Sequence, residues 1–443
     1  MRQDRLHAVR VAGPAIGRVA YLAVLALATL VPFGFDPDLS HIVLRLQRAL
    51  QPSISARDAV DAARNVVLFA GWGALWAATS RSRRTVAVVA GAALSGVGLS
   101  ILLESLQLLS ITRKASVLDV LTNAGGALAG AAAIVAFTGA LRAARGRRSF
   151  VGIPAFTFAS AYLAVALLEA VFPLLRQTVL PGAHGGPLAR LAVSLEHFDL
   201  GSILAIPWFD IVLVAPAGAF AVAALVESNR GYANAAWLSV LAGGLLMTLA
   251  ELAHAPLGQS IQLGAILSHA AGLALGAWAA VRFLPGLSRR VRGPDRPLVL
   301  LVVYAALVLL WVWRPFVPEL DPQAIAAQLS LSRLVPLRSF AGRMDLFSVA
   351  DVAELFLLFL PLGSLLAVWP LERAGAWSLF LPALYLAIGI ELGQIFLADR
   401  YFDVTDMLVG GSGAVIGWLV TRRAGFAPCA EVWQAQAGRS DRA

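Results

Sequence analysis

The chain has 443 residues, of which 59% are hydrophobic and only 14% are charged, and its mean hydropathy is +0.77. Soluble domains carry about 25% charged residues, so these values exclude a soluble globule and predict an integral membrane protein. The formal net charge of +9 comes largely from arginine clusters between apolar runs. This pattern is typical of cytoplasmic loops, so we expect no nucleic-acid partner.

Apolar runs of about 20 residues predict about twelve membrane-spanning helices, and hence an all-α polytopic bundle. They lie at 15–33, 63–80, 85–108, 117–141, 152–174, 204–226, 233–254, 263–284, 297–316, 350–370, 375–397 and 404–421. Arginine-rich loops such as 80–84, 141–148 and 288–296 fall on the same side of the membrane as the N-terminus. The positive-inside rule then predicts that both termini are cytoplasmic.

The chain repeats itself about every 140 to 147 residues, which predicts parallel repeats of four spans each. The predicted boundaries are 1–149 (repeat 1), 150–294 (repeat 2) and 295–424 (repeat 3), followed by a cytoplasmic tail at 425–443. Each repeat closes with a G-x-x-x-G helix, for which close helix packing is the simplest interpretation. These glycine pairs are Gly126 and Gly130, Gly272 and Gly276, and Gly413 and Gly417.

Amphipathic segments occupy the linker after the first span of each repeat, at 40–51, 187–198 and 323–334. Such a segment either lies on the membrane surface or caps the bundle as an ordinary helix, and the sequence favours neither.

Polar residues recur at identical intervals near the end of the third span and the start of the fourth span in repeats 1 and 3. A Glu and a Gln at i, i+3 share one helix face. An Arg follows in the turn, and an Asp opens the next helix. We therefore expect these groups to converge at the outer edge of the bilayer. The candidate ligand-binding residues are Glu104, Gln107, Arg113, Asp119 and Asn123, with Asp61 and Asn65 from the second span, and Glu391, Gln394, Arg400, Asp403 and Asp406.

Two interpretations of this cluster stay open. It could be a structural clasp between the third and fourth spans, or a polar pocket that faces outward. A clasp needs only one acid per arginine, so the surplus acids slightly favour a pocket. In repeat 2, Glu251 persists, but His254 and His269 replace the two amides, so we interpret this repeat as having lost or changed the site. A histidine pair without a third ligand does not indicate a metal site.

These residues resemble the VanZ-like family. The resemblance rests on the order E-x-x-Q, R and D-x-x-x-N-x-x-G-x-x-x-G, preceded by Asn65, Phe69 and Gly73. Repeat 3 departs from it at Gly410, where the family has Asn, and repeat 1 has Ser116 where the family has Asp. The resemblance implies a protein of the bacterial inner membrane with a role in the cell envelope, in a family associated with tolerance of glycopeptide antibiotics, particularly teicoplanin. It implies no agreed reaction.

Several functions are compatible with these features. The first hypothesis is a protein whose pockets bind the headgroup of a membrane lipid or of a lipid-linked cell-wall precursor. The alternatives are a transporter of a small polar or lipid substrate, a membrane enzyme that uses paired carboxylates, and a structural scaffold. Neither a nucleophile motif nor a P-loop is visible, and the single cysteine, Cys429, cannot build a thiolate site. We expect no cofactor and no metal.

Overall fold

The computed structural model describes residues 18–19, 21–23, 25–26, 29–30, 34–36, 38–50, 56–82, 84–111, 115–147, 149–171, 187–196, 208–255, 259–290, 295–328, 346–369, 376–398 and 400–426. Apart from two isolated β-bridges, the regular secondary structure of these residues is helical. In chain order the helices are α1 (Leu39–Ala49), α2 (Ala56–Thr79), α3 (Thr85–Gln107), α4 (Val117–Ala144), α5 (Phe156–Val171), α6 (Pro187–Glu196), α7 (Trp208–Glu227), α8 (Tyr232–Leu252), α9 (Leu263–Arg290), α10 (Asp295–Val312), α11 (Pro322–Gln328), α12 (Leu346–Val368), α13 (Ala376–Gln394) and α14 (Val404–Arg423).

The predicted helical membrane bundle is confirmed. Among the described residues, seven helices are long and apolar enough to cross a membrane: α3, α4, α7, α8, α9, α12 and α14. Shorter apolar segments lie in α2, α5, α10 and α13. All of these helices fall on predicted spans. The first predicted span, 15–33, is described only in part, and most of the tail at 425–443 lies outside the described residues. The count of twelve spans and the three-repeat layout therefore stay predictions.

The chain divides into two compact units. We call residues 1–143, 317–353 and 374–425 the terminal unit, and residues 144–316, 354–373 and 426–443 the central unit. The terminal unit thus combines most of repeats 1 and 3, and the central unit contains most of repeat 2. The boundaries proposed for the repeats stay a prediction.

Close packing at the G-x-x-x-G pairs is confirmed for repeats 1 and 2. In the terminal unit, a Cβ on Gly126 would lie 2.9 Å from the Cα of Val66 in α2. In the central unit, a Cβ on Gly272 would lie 2.7 Å from the carbonyl oxygen of Ile211 in α7. Only glycine permits such an approach, so the fourth helix of each repeat packs backbone-to-backbone against the second. In repeat 3, Gly413 is buried in α14.

Short backbone pairings fix the turn after the third helix in repeats 1 and 3. Segment 34–36 pairs with segment 109–111 through N–H···O bonds of 2.7 and 2.9 Å. Segment 317–319 pairs with segment 396–398 through two bonds of 2.8 Å. Both pairings hold the segment after a first span against the turn that carries the polar cluster. The repetition visible in the sequence is therefore also a repetition of backbone contacts.

Arg423 connects two helices at the end of the terminal unit that lies opposite these turns. It is the last residue of α14, and its guanidinium donates to the carbonyl oxygens of Ala77 and Ser80 and, at 2.8 Å, to that of Ser82. The last carbonyls of a helix lack partners within the helix, and a cation there also interacts favourably with the helix dipole. One side chain thus caps α2 and ties repeat 3 to repeat 1.

The three amphipathic linker segments contain helices, with different surroundings. In α1 no residue is buried, and the apolar side chains of Leu39, Val43, Leu46 and Leu50 are exposed, as expected of a helix on a membrane surface. In contrast, α6 and α11 make contact with their own units. Ser194 of α6 donates to the carbonyl oxygen of Ala255, and the Gln328 side chain of α11 donates to the carbonyl oxygen of Arg400.

Candidate functional site

One carboxylate of each polar cluster holds the turn that follows it. Glu104 Oε2 accepts the backbone N–H of Ser116 at 2.9 Å. Twelve residues likewise separate Glu391 from Asp403, whose N–H is accepted by Glu391 Oε2 at 2.9 Å. Because this glutamate lies in the last turn of the third helix and its partner immediately precedes the fourth, the bond ties the two helices of the hairpin together. One oxygen of each glutamate therefore has a clasp role.

The residue whose N–H donates to this glutamate is also the N-cap of the fourth helix. Asp403 Oδ1 accepts the N–H of Thr405 at 2.7 Å, and Ser116 Oγ accepts the N–H of Leu118 at 3.2 Å. Ser and Asp are both preferred N-caps. The departure of Ser116 from the family pattern therefore preserves the local structure. The N-cap bond gives the Asp403 side chain a structural role, and the binding of a ligand by Asp403 stays a prediction.

The structure brings further charged residues of each cluster together. Asp119, in the first turn of α4, acts electrostatically on the Glu104 carboxylate. Around Glu391, the Asp406 and Asp403 carboxylates repel it and the Arg400 guanidinium attracts it. The first turn of a helix favours an anion because the helix dipole is positive there. This accounts for the stability of Asp119 and Asp406 at these positions, although each stands beside another acid.

The predicted amides lie deeper and make bonds between helices. Gln107 is 8% exposed and donates to the carbonyl oxygen of Thr29 in the first span, at 3.1 Å. Asn123 is 3% exposed and donates to Ser100 Oγ of α3 at 2.8 Å. Both side chains tie neighbouring helices of the terminal unit together. Gln394 is buried at the end of α13.

The remaining predicted site residues are only partly described. Asn65 is half-buried in α2. Asp61 belongs to the same helix, but its side chain lies outside the described residues, as does the whole of Arg113. For repeat 1 the structure therefore shows the acids and the amides of the cluster, and for repeat 3 it also shows the arginine.

A second group of charged residues, in the central unit, was missed by the sequence analysis. Arg314, just after α10, is paired with Glu169 of α5 and lies 3.8 Å from Glu354. Its guanidinium stacks on the Trp311 ring with 4.6 Å between the guanidinium carbon and the ring centroid, and the Trp311 indole N–H donates to Glu354. A signal was present, because Glu169 and Arg314 both fall inside predicted spans, where ionisable residues are rare and commonly functional.

Comparison with known families identifies the terminal segments. The VanZ/LLP1 family model matches residues 18–138 and again residues 301–425. The chain belongs to the VanZ/LLP1 family. Each match contains one complete acid cluster, which confirms the resemblance and the tandem arrangement. Residues 139–300 lie outside both VanZ segments. No curated protein and no solved structure matches the chain.

Proposed function

We propose that this is an envelope protein of the bacterial inner membrane, with both termini in the cytoplasm, whose VanZ segments bind a polar headgroup at the outer end of the bundle. The headgroup belongs to a membrane lipid or to a lipid-linked cell-wall precursor, and its binding affects tolerance of glycopeptide antibiotics. The observation that carries the proposal is the same clasped acid turn, built twice in one chain.

The clasp alone does not account for the second acid of each cluster. Glu104 needs one oxygen to hold the N–H of Ser116, and the nearby Asp119 repels the charge of Glu104. Like charges held side by side repel each other, and such pairs are common at functional sites. A cationic or zwitterionic headgroup would offset the repulsion between the acids, and Arg400 would contact its phosphate.

The depth of the clusters also supports a headgroup as the ligand. A helix of about 20 residues spans the hydrocarbon core, so residues at the ends of α3 and α13 and at the starts of α4 and α14 lie at headgroup level. Aromatic residues are enriched at this interface. Two of them, Phe396 and Tyr401, are exposed on either side of Arg400 in repeat 3, at 57% and 48%.

Replacing each glutamate by glutamine, which has the same shape but no charge, distinguishes a binding pocket from a structural clasp. In the double variant Glu104→Gln, Glu391→Gln, the amide oxygen can still accept the N–H of Ser116 or Asp403, so the turns should hold while both charges are lost. We expect wild-type membrane insertion and thermal stability. In a deletion strain, we expect the double variant to leave teicoplanin susceptibility at the level of the deletion.

The matched control is Glu196→Gln. This carboxylate is exposed at the end of α6 and lies outside both VanZ segments. We expect it to restore tolerance as well as the wild type does. If the double variant is stable and also restores full tolerance, the clusters are clasps only and the proposal fails.

A further inference from the structure

The central unit contains a cavity of about 210 Å³. Its polar lining comes from the end of α5, the start of α7, the end of α8, the start of α9 and the end of α10. Since successive spans alternate in direction, these five positions lie at one end of the unit. The charged and titratable residues that line the cavity are Glu169, Asp210, Glu251, His254, His269 and Arg314.

Negative charge predominates around the cavity. Arg314 is engaged by Glu169 and lies close to Glu354, so its charge is already compensated by protein carboxylates. Arg314 also attracts Asp210, so among the described lining residues one arginine is shared by several carboxylates, including Asp210 and Glu169. This balance disfavours an anion and attracts a cation.

Several polar atoms of the lining are available to a ligand. Glu251 uses Oε1 to accept the N–H of Gln262 at 2.8 Å, whereas its Oε2 lies 3.7 Å from His254 Nε2, beyond hydrogen-bond distance. Within the described part of the chain, the Asp210 carboxylate takes part in no hydrogen bond. Nδ1 of His269 is buried and also has no partner among the described residues. Buried polar atoms are normally paired, so the unpaired Nδ1 of His269 points to a bound molecule.

Size and donor pattern narrow the ligand class. A cavity of about 150 Å³ is enough for benzene, so this one holds more than a bare ion. In the described residues no group of three His, Cys, Asp or Glu could hold a metal ion. The Arg314 guanidinium covers one face of the Trp311 ring, so a quaternary ammonium cannot stack on that face of the ring. A primary ammonium group has three N–H donors, which match Asp210, Glu251 and His269.

We propose that the cavity of the central unit binds a primary ammonium group, carried either by a soluble amine or by a lipid headgroup. The three proposed acceptors, Asp210, Glu251 and His269, lie outside both VanZ segments, and the proposal goes beyond the function proposed for those segments. Glu251 orients the start of α9 with one oxygen and accepts from the ammonium with the other. Asp210 supplies the second charge-assisted acceptor, and His269 Nδ1 supplies a neutral one.

The direct test is a titration of the full-length protein, in phosphatidylcholine nanodiscs, with ethylammonium. We expect saturable binding to the wild type. Loss of a charge-assisted hydrogen bond should weaken the affinity of Asp210→Asn about tenfold or more. The second variant, His269→Gln, should also bind ethylammonium more weakly than the wild type. Glu196→Gln removes one negative charge from an exposed side chain of the central unit and should bind ethylammonium as the wild type does.

Two further probes define the ligand. The neutral analogue 1-propanol and the donor-free tetramethylammonium ion should not compete with ethylammonium. In nanodiscs that contain phosphatidylethanolamine, a lower apparent affinity for ethylammonium identifies the lipid headgroup as the source of the ammonium. An unchanged affinity identifies a soluble amine instead.

The proposal is overturned by any of three results: no saturable binding to the wild type in phosphatidylcholine, unchanged affinity in both folded variants, or equal competition by 1-propanol. Because these variants leave the VanZ segments intact, such a failure is distinct from a failure of the headgroup proposal.

Discussion

Two adjacent glycines of α4 offer a sharp test of the packing in the terminal unit. A Cβ on Gly126 would lie 2.9 Å from the Cα of Val66, and closer still to its carbonyl oxygen. Ordinary contact begins at 3.4 Å and the carbonyl oxygen would lie at 2.4 Å, so α2 and α4 must separate by about 1.0 Å to accept Gly126→Ala. On Gly125 a Cβ would meet nothing within 4 Å.

The two alanine variants share the same change in helix preference, so the difference between them isolates the packing. Replacing glycine by alanine in a helix gains roughly 0.5–1 kcal/mol, and overpacking typically costs about 1–3 kcal/mol. We therefore expect Gly125→Ala to equal or slightly exceed the wild type in stability. Gly126→Ala should be less stable than Gly125→Ala by about 1–3 kcal/mol.

Equilibrium unfolding in mixed detergent and SDS micelles, followed by circular dichroism, measures this difference. Both variants should remain helical and monodisperse before unfolding. If their unfolding free energies agree within about 0.5 kcal/mol, which is the usual range for substitutions that disturb no packing, then α2 and α4 do not approach as closely as described.

Three further predictions concern the ends of the helices. Arg423→Gln should lower the unfolding free energy by about 1.5–3 kcal/mol through loss of charged hydrogen bonds to carbonyl groups, whereas Arg422→Gln, on an exposed side chain, should stay within about 0.5 kcal/mol. Asp403→Ala should cost about 1 kcal/mol and Asp403→Ser much less in the same assay, because serine is an equally good N-cap. The hydrogen bond with His41 is the main cause that lowers the pKa of Asp36 below its usual 3.8. This loop contact should therefore persist at neutral pH and be lost only as the pH falls below that value. Hydrogen-exchange protection of residues 34–36 at pH 6 and pH 3 measures the loss.

The helices and the recurring turns could be predicted from the sequence because they rest on local patterns. Hydropathy located the spans, and the G-x-x-x-G pairs indicated where backbones approach. The N-caps were not predicted, although Ser116 and Asp403 each precede an acid by three residues, a spacing close to that of a capping box. The identical intervals in repeats 1 and 3 correspond to matching backbone contacts in the structure.

The partners of the polar side chains could not be predicted, because they come from distant parts of the chain. Spacing placed Gln107 on the same helix face as Glu104, yet its acceptor is Thr29, 78 residues earlier. The pair Glu169 and Arg314 is separated by 145 residues. No local pattern encodes which helices neighbour each other, so the central cavity emerges only from the fold.

Headgroup binding by the VanZ segments is tested most directly by an experimental map of the protein in nanodiscs of native lipid. We expect headgroup density at the turn between α13 and α14, within hydrogen-bond distance of Asp406 or Arg400, and matching density beside Asp119 in repeat 1. A well-resolved map in which protein side chains alone fill both turns, with lipid ordered elsewhere on the bundle, would contradict it.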